Sequence, residues 1–266
     1  MTCKICSGAS IHFGDALVLG KHPVRYFRCT VCGFVQTEPP FWLDEAYASA
    51  ITSTDIGSVN RALTFGRLTR RFILAFFSPG ARFLDYGGGY GLFTRLMRDW
   101  GFDFHHYDRY CQNLFAQGFD ADLNAGVRYE LMTAFEVFEH LNDPLSEIEQ
   151  MLRFSRTIVF STQLVPASNP KPGEWWYYSP EHGQHIAFYT RAALDSIARR
   201  FGLRVYTNGS SLHLLTEKRI NDRLFQFMFR HRITRLLDLL LSRRMHTRSL
   251  LAADYAKLSG VRLPGG

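Results

Sequence analysis

The sequence predicts an α/β fold, a three-layer sandwich around a mostly parallel sheet, with a small cysteine-bearing module before it and a helical tail after it. Three observations carry that expectation. Strand-like apolar runs at 82–86, 102–107, 131–135 and 157–162 alternate with stretches of helical spacing, the pattern of repeated βα units. A glycine-rich turn follows the first of those runs. Two C-x-x-C pairs, Cys3/Cys6 and Cys29/Cys32, stand near the N-terminus.

The chain has 266 residues, of which 46% are hydrophobic and 15% aromatic, enough for one well-buried domain plus a small module. The expected divisions are 1–40, 41–217 and 218–266. No internal repeat or low-complexity tract interrupts them.

The N-terminal module is read as a zinc ribbon. Between Cys6 and Cys29 lie 22 residues, close to the spacing of a four-thiolate zinc site, and the glycines Gly8 and Gly33 follow the two knuckles, as a chelating turn requires. Short strands are expected at 11–13, 17–19 and 26–28. About forty residues bury little core, so a metal would supply much of the folding free energy. The alternative is four unligated thiols in a reducing compartment. Disulfides are disfavoured because no secretory signal is read and Cys111 would be left over. Four protein ligands imply a structural ion. Beyond Pro39-Pro40, a helical stretch with Arg61, Leu63, Phe65 and Leu68 leads to the turn Ser78-Pro79-Gly80.

The run Phe83-Leu84-Asp85-Tyr86-Gly87-Gly88-Gly89-Tyr90-Gly91 reads as a nucleotide-cofactor loop opening a helix at Leu92. A G-x-G-x-x-G dinucleotide fingerprint counted from Gly87 would need glycine where Leu92 stands. Asp85, Gly87, Gly89 and Gly91 instead spell D-x-G-x-G-x-G, which resembles motif I of class I S-adenosylmethionine-dependent methyltransferases. Two further blocks extend the resemblance over 81–216. The segment 101–108 looks like a second strand ending in Asp108, nineteen residues past Gly89. The run from Tyr129 to Pro144, with Glu136-Val137-Phe138-Glu139-His140, looks like the family's fourth strand and following loop.

The resemblance implies a Rossmann-like sheet of seven strands, closed by a hairpin at 204–206 and 212–216. It also implies that the 87–91 turn, Gly88 included, wraps the amino-acid end of the cofactor. Asp108 would accept the ribose hydroxyls, unless it only caps a turn, and Thr133, Ala134 and Phe135 would line the cofactor. An adenine contact is expected near Phe119 and Asp120. The stretch between Asp108 and Tyr129 is short, so the second crossover and third strand are expected to be abbreviated. The family's Asn/Asp-Pro-Pro-aromatic device for planar nitrogens is absent. Glu139 and His140, at a strand-to-helix junction, are expected to make local hydrogen bonds.

After the run at 157–162 comes an insert, 173–189, rich in aromatic residues and carrying two histidines and two acids. Loops lie at the surface, so this composition reads as a pocket wall. It resembles the catalytic loop of zinc-ribbon C-methyltransferases acting on nucleotide-linked deoxyketosugars, and more loosely ubiquinone-type enzymes. That likeness implies proton abstraction beside a keto group by His182 or His185, with Tyr177 or Tyr178 on the enolate oxygen and Glu181 nearby. In the alternative the histidines and the tryptophan pair only seal the loop.

Charge is concentrated at the end of the chain. Of the formal net +7, residues 218–266 contribute eleven Lys and Arg against three acids, and 1–217 twenty against twenty-one. Ile220, Leu224, Phe225, Met228, Phe229, Ile233, Leu236, Leu237 and Leu240 recur at helical spacing. A helix docked on the domain or on a dimer partner is expected, with an anionic membrane surface or a nucleic acid as lesser readings. The expected partner is a small-molecule methyl acceptor and the expected location cytoplasmic. A zinc-ribbon RNA methyltransferase and a non-catalytic scaffold remain alternatives. The ribbon's charge of only +2 counts against RNA, and the intact glycine motif against the scaffold.

Overall fold

Near the N-terminus, β1 (Ser10–Val18) and β2 (His22–Cys29) form an antiparallel pair, in register from Ser10 opposite Cys29 to Val18 opposite His22. The structure is a computed structural model that describes residues 1–48, 56–229 and 248–261. The two strands expected at 11–13 and 17–19 are one, because a bulge between His12 and Gly14 absorbs the break in apolar alternation. Leu19, expected in a strand, is a corner: in the three-residue connection 19–21, Leu19 (φ 54°) and Gly20 (φ 69°) are both left-handed, and the Lys21 amide closes the turn on the Val18 carbonyl.

The strand β3 (Val35–Thr37) pairs with β2, and its other edge pairs with a two-residue strand from far along the chain, Ala187–Phe188. This first sheet thus has four strands. Its apolar face packs Val24, Tyr26 and Val35 against Trp42, Tyr178 and Phe188. The late insert therefore completes the N-terminal module's core.

Beyond the short helix α1 (Leu43–Ala46), α2 (Ser58–Phe76) occupies the helical stretch read from the sequence. The second sheet contains β4 (Arg82–Tyr86), β5 (Asp103–Tyr107), β6 (Leu131–Ala134) and β7 (Thr157–Ser161), at the predicted positions to within a residue or two. With the Ala187–Phe188 strand counted as β8, the predicted hairpin is β9 (Arg204–Thr207) and β10 (Leu212–Thr216). The order is β5-β4-β6-β7-β10-β9, with β4 parallel to β5 and β6 and with β9 antiparallel to β10. The helices α3 (Leu92–Asp99), α4 (Pro144–Phe154) and α5 (Arg191–Arg200) alternate with these strands. Among the described residues this is a Rossmann-like sheet of six strands and not the expected seven.

The missing strand belongs to 108–130. There, among the described residues, one parallel bridge between His106 and Asp120 is all that remains of it. The physical reason is local. Asp108 accepts from the amides of Tyr110 and Cys111, Asn113 bonds Ala116 and Asp120, and Asp122 accepts from the Asn124 amide, so short polar side chains satisfy the backbone in turns.

The chain divides into two units. One comprises Met1–Ser53, Ala134–Arg153 and Val159–Arg219, the other Thr54–Thr133, Phe154–Ile158 and Ile220–Gly266. In the second, α6 (Asp222–Phe227) opens the tail, capped by the Asn221 side chain, and Phe225 stacks on Phe72 with ring centres 5.3 Å apart. The apolar positions expected at Ile233, Leu236, Leu237 and Leu240 lie outside the described residues, so the expected dimer or membrane contact does too. No helix among the described residues is long and apolar enough to cross a membrane.

The tail's last helix, α7 (Leu251–Ser259), carries the buried Asp254 to Arg98 of α3 in a two-pronged pair at 2.7 and 2.8 Å. Arg98 also donates to Asp103 and to the Phe104 carbonyl, and its guanidinium lies 3.7 Å from the centre of the Phe119 ring. Removing one partner of such a pair strands a buried charge. Arg95, 2.9 Å from Asp254, remains to offset part of it. Arg98→Met is therefore expected to lower the unfolding free energy by about 3 kcal/mol, at the low end for buried pairs. Urea denaturation measures this, and an unshifted midpoint would show that α7 contributes nothing through the pair.

Candidate functional site

The glycine turn is built by what flanks it. β4 delivers Asp85, 2% exposed, whose carboxylate accepts from Thr94 of α3 at 3.1 Å and Thr133 of β6 at 2.9 Å. Burial pushes its pKa up to about 6, against the lowering effect of those two hydroxyls. The amides of Gly87 and Gly88 both donate to the Tyr107 carbonyl, at 2.8 and 3.1 Å, which folds the turn over the end of β5. Gly88 has no room for a side chain: a Cβ would stand 2.5 Å from the Asp85 carboxylate and 2.9 Å from the His106 ring. Gly91, at φ 83°, starts α3 from a left-handed conformation that favours glycine.

Asp108 follows directly on β5. One carboxylate oxygen accepts from the Gly89 amide at 2.8 Å, the other from Tyr110 and Cys111 at 2.7 and 2.8 Å. Three bonds leave room for a hydroxyl on a carboxylate with about four acceptor positions. A Cβ at Gly89 would meet nothing within 4 Å, so the backbone there is open to a ligand. His106, which the sequence reading passed over as a strand residue, is 2% exposed and bonds the Gly89 carbonyl through Nε2 at 2.8 Å. Its alternation with the partly exposed His105 marks it as inward-facing. Phe119 is buried beneath Arg98 while Asp120 is exposed and bonded to Asn113. Thr133 thus joins Asp85, Gly87, Gly88, Gly89, Gly91 and Asp108 in one unit.

Ala134 and Phe135 begin the other unit, where β6 ends. Ala134 is buried and Phe135 half-buried. Glu136 is left-handed at φ 54°; its amide donates to the Ser161 hydroxyl at 2.7 Å, and that hydroxyl donates back to its carboxylate at 2.5 Å. Such strain in a non-glycine residue belongs to loops held by their surroundings.

The 3-10 turn Phe138–His140 follows, and it carries two titratable groups into the interior. Glu139 is fully buried. Burial and the nearby Glu136 charge raise its pKa to about 8. The Thr162 and Tyr177 hydroxyls lie near enough to oppose that rise, but they bond each other at 3.2 Å, and neither Glu139 oxygen has a hydrogen-bond partner among the described residues. His140 is held neutral, its pKa lowered to about 3 by burial and by His185. Its Nδ1 lies 3.0 Å from the Gln184 carbonyl and 3.1 Å from the Tyr47 hydroxyl.

The insert divides the five residues singled out for catalysis. Tyr177 is buried, its ring 4.7 Å from that of His185, and its carbonyl is 2.7 Å from His185 Nδ1. Burial also lowers the pKa of His185, which stands 4.9 Å from His140, ring centre to ring centre. Tyr178 shares the first sheet's core with Tyr177, lies edge-on to Tyr26, and donates to the Pro170 carbonyl at 2.9 Å. Glu181 and His182 lie toward solvent, 3.8 Å apart, with side chains 65% and 33% exposed. The structure therefore brings Tyr177 and His185 together with Glu139 and His140, while Glu181 and His182, toward solvent, stand close enough to act electrostatically on His185. The adjacent Glu-His pair could have been placed in this group from sequence only by knowing that the insert folds back over it.

At the N-terminus the four cysteine sulfurs lie within 4.8 Å of one another, Cys3 to Cys32 at 3.6 Å and Cys6 to Cys29 at 3.4 Å, and none is in a disulfide. Amides of Ile5, Val31 and Cys32 point at sulfur.

Solved structures similar to this chain include three methyltransferases. The first is CalO1 of calicheamicin biosynthesis, bound to S-adenosylhomocysteine (15% identity, TM-score 0.43, 65% of this chain and 60% of that one). The second is 1,6-didemethyltoxoflavin-N1-methyltransferase of Burkholderia thailandensis (12% identity, TM-score 0.49, 76% and 97%). The third is the plantazolicin methyltransferase BpumL (12% identity, TM-score 0.49, 66% and 93%). The chain thus spans less than two thirds of the length of the first of these. No curated protein sequence matches it. Residues 60–208, more than half of the chain, match the family model described as a methyltransferase domain, and the chain belongs to that family.

Proposed function

We propose that this protein is an S-adenosylmethionine-dependent methyltransferase acting on a small polar molecule, such as a nucleotide-linked sugar, with base-assisted methyl transfer. The observation that carries the reading is the turn at 85–91: its backbone is tied down by Tyr107, His106 and Asp108 while its face at Gly89 stays open. That fits a ligand with a charged amino-acid end and a ribose. When bound, S-adenosylmethionine supplies an electrophilic methyl on a sulfonium. Gly87, Gly88, Gly89 and Gly91 give backbone approach, Asp108 accepts ribose hydroxyls, and Thr133, Ala134 and Phe135 line the remainder, with Asp85 acting through Thr133. Proton removal from the acceptor falls to His185 or His182, an imidazole being suited to general-base work.

A second proposal concerns the ribbon. Zn–S bonds of about 2.3 Å place tetrahedral sulfurs about 3.8 Å apart. The four cysteines, with sulfurs at 3.4 and 3.6 Å and amides aimed at them, suit one structural Zn²⁺. A cytoplasmic location agrees with reduced thiols.

Three outcomes are expected. In calorimetry, Asp108→Ala weakens S-adenosylmethionine binding by about 1.5–3 kcal/mol, the cost of unmade charge-assisted hydrogen bonds. Asp108→Asn, which keeps one of the two acceptor oxygens, loses less; unaltered affinity in both variants would remove Asp108 from the site. For the ribbon, Cys3→Ser lowers bound zinc and melting temperature together, and unchanged values would contradict a metal-dependent fold. Finally, with an acceptor in hand, His185→Ala or His182→Ala loses roughly 10²- to 10⁴-fold in kcat while cofactor affinity holds. A raised KM with kcat retained would mean that the histidine only braces the loop.

A further inference from the structure

Glu139, His140 and His185 form a cluster that neither cofactor binding nor the ribbon uses. Each offers a ligand atom, and these lie within 4.8 Å of one another. Both imidazoles are oriented by backbone carbonyls: His140 Nδ1 meets the Gln184 carbonyl at 3.0 Å, and His185 Nδ1 the Tyr177 carbonyl at 2.7 Å. A ring nitrogen facing a carbonyl must carry the proton, so Nε2 of each ring bears a free lone pair. Metal-bound histidines are fixed by this same arrangement. The third member supplies an independent observation. Glu139 is wholly buried, and neither of its carboxylate oxygens has a hydrogen-bond partner among the described residues. A carboxyl group in that position costs free energy unless something compensates it.

We propose that Glu139, His140 and His185 bind one divalent transition-metal ion, separate from the ribbon's zinc. Two imidazoles and one carboxylate are a donor set that suits Zn²⁺, Fe²⁺ or Co²⁺ and disfavours Mg²⁺ or Ca²⁺. The ion supplies the counter-charge that Glu139 lacks. Ligand atoms around a tetrahedral zinc sit about 3.4 Å apart, so binding asks the three side chains to close by about an ångström or more where they are farthest apart. Three protein ligands also leave a coordination position open, as at catalytic and not structural centres. On the methyltransferase reading above, that position takes an oxygen of the acceptor and lowers its pKa. His185 then holds the ion, and proton removal passes to His182.

Cobalt binding tests the site independently of any activity. Metal-free full-length protein is titrated with Co²⁺, followed by absorbance, and bound cobalt is counted by elemental analysis. Two equivalents per chain are expected, only one of them giving thiolate-to-cobalt charge-transfer bands. Cys3→Ser removes those bands and leaves the second equivalent. Glu139→Gln and His185→Gln, each confirmed folded by circular dichroism, keep the bands and bind one equivalent. A wild-type chain that binds a single equivalent overturns the proposal, whatever the variants do. So do variants of Glu139 and His185 that still bind two. Either result leaves the methyltransferase reading intact and returns His185 to the role of free base.

Discussion

A single buried carboxylate organises the half of the molecule that carries the glycine turn. Asp85 sits at the end of β4 with almost no exposure, and it is tolerable there because hydroxyls from two other elements reach it. Thr94 fixes the start of α3 and Thr133 the end of β6. The same carboxylate fills the space that a side chain at Gly88 would take, so the turn must be glycine where it passes over Asp85. The acid thus does structural work that leaves the backbone at Gly89 free. Asp108, bonded to three amides, locks the far side.

The other unit spends its burial differently. The insert contributes a strand to the first sheet and two tyrosines to its core, so its aromatic richness is in part the packing of a ribbon too small to bury itself. What it covers is polar. Two half-buried histidines and a buried carboxyl group with no partner among the described residues stand close together, a combination that packing alone does not favour.

Much of this was legible in the sequence because it depends on local patterns. The strand runs, the glycine turn, the acid after β5 and the final hairpin have short-range signatures. The four cysteines lie at the spacing their proximity requires. What was not legible depended on long-range pairing or on competition between weak signals. Nothing local says that Ala187–Phe188 should pair with Val35 and Gln36. The third strand failed because Asp108, Asn113 and Asp122 satisfy the backbone of 108–130 in turns. Tyr177 and Tyr178 are equivalent in sequence and share the first sheet's core, yet adjacent positions in a 3-10 turn give them different partners, Thr162 and His185 for the one and the Pro170 carbonyl for the other. His106 and Glu139 gain their significance from burial, which a single sequence does not display.

The central claim is that the turn at 85–91, with Asp108 and Thr133, holds the amino-acid and ribose ends of a sulfonium cofactor. Hydrogen exchange with and without S-adenosylhomocysteine measures this directly. Slowed exchange of amides is expected in 87–91, in 108–111 and at Thr133 on saturation, because the ligand would cover the open face at Gly89 and stabilise the residues that hold the turn. Unchanged exchange at all three places, at a ligand concentration shown by calorimetry to saturate the protein, would contradict it.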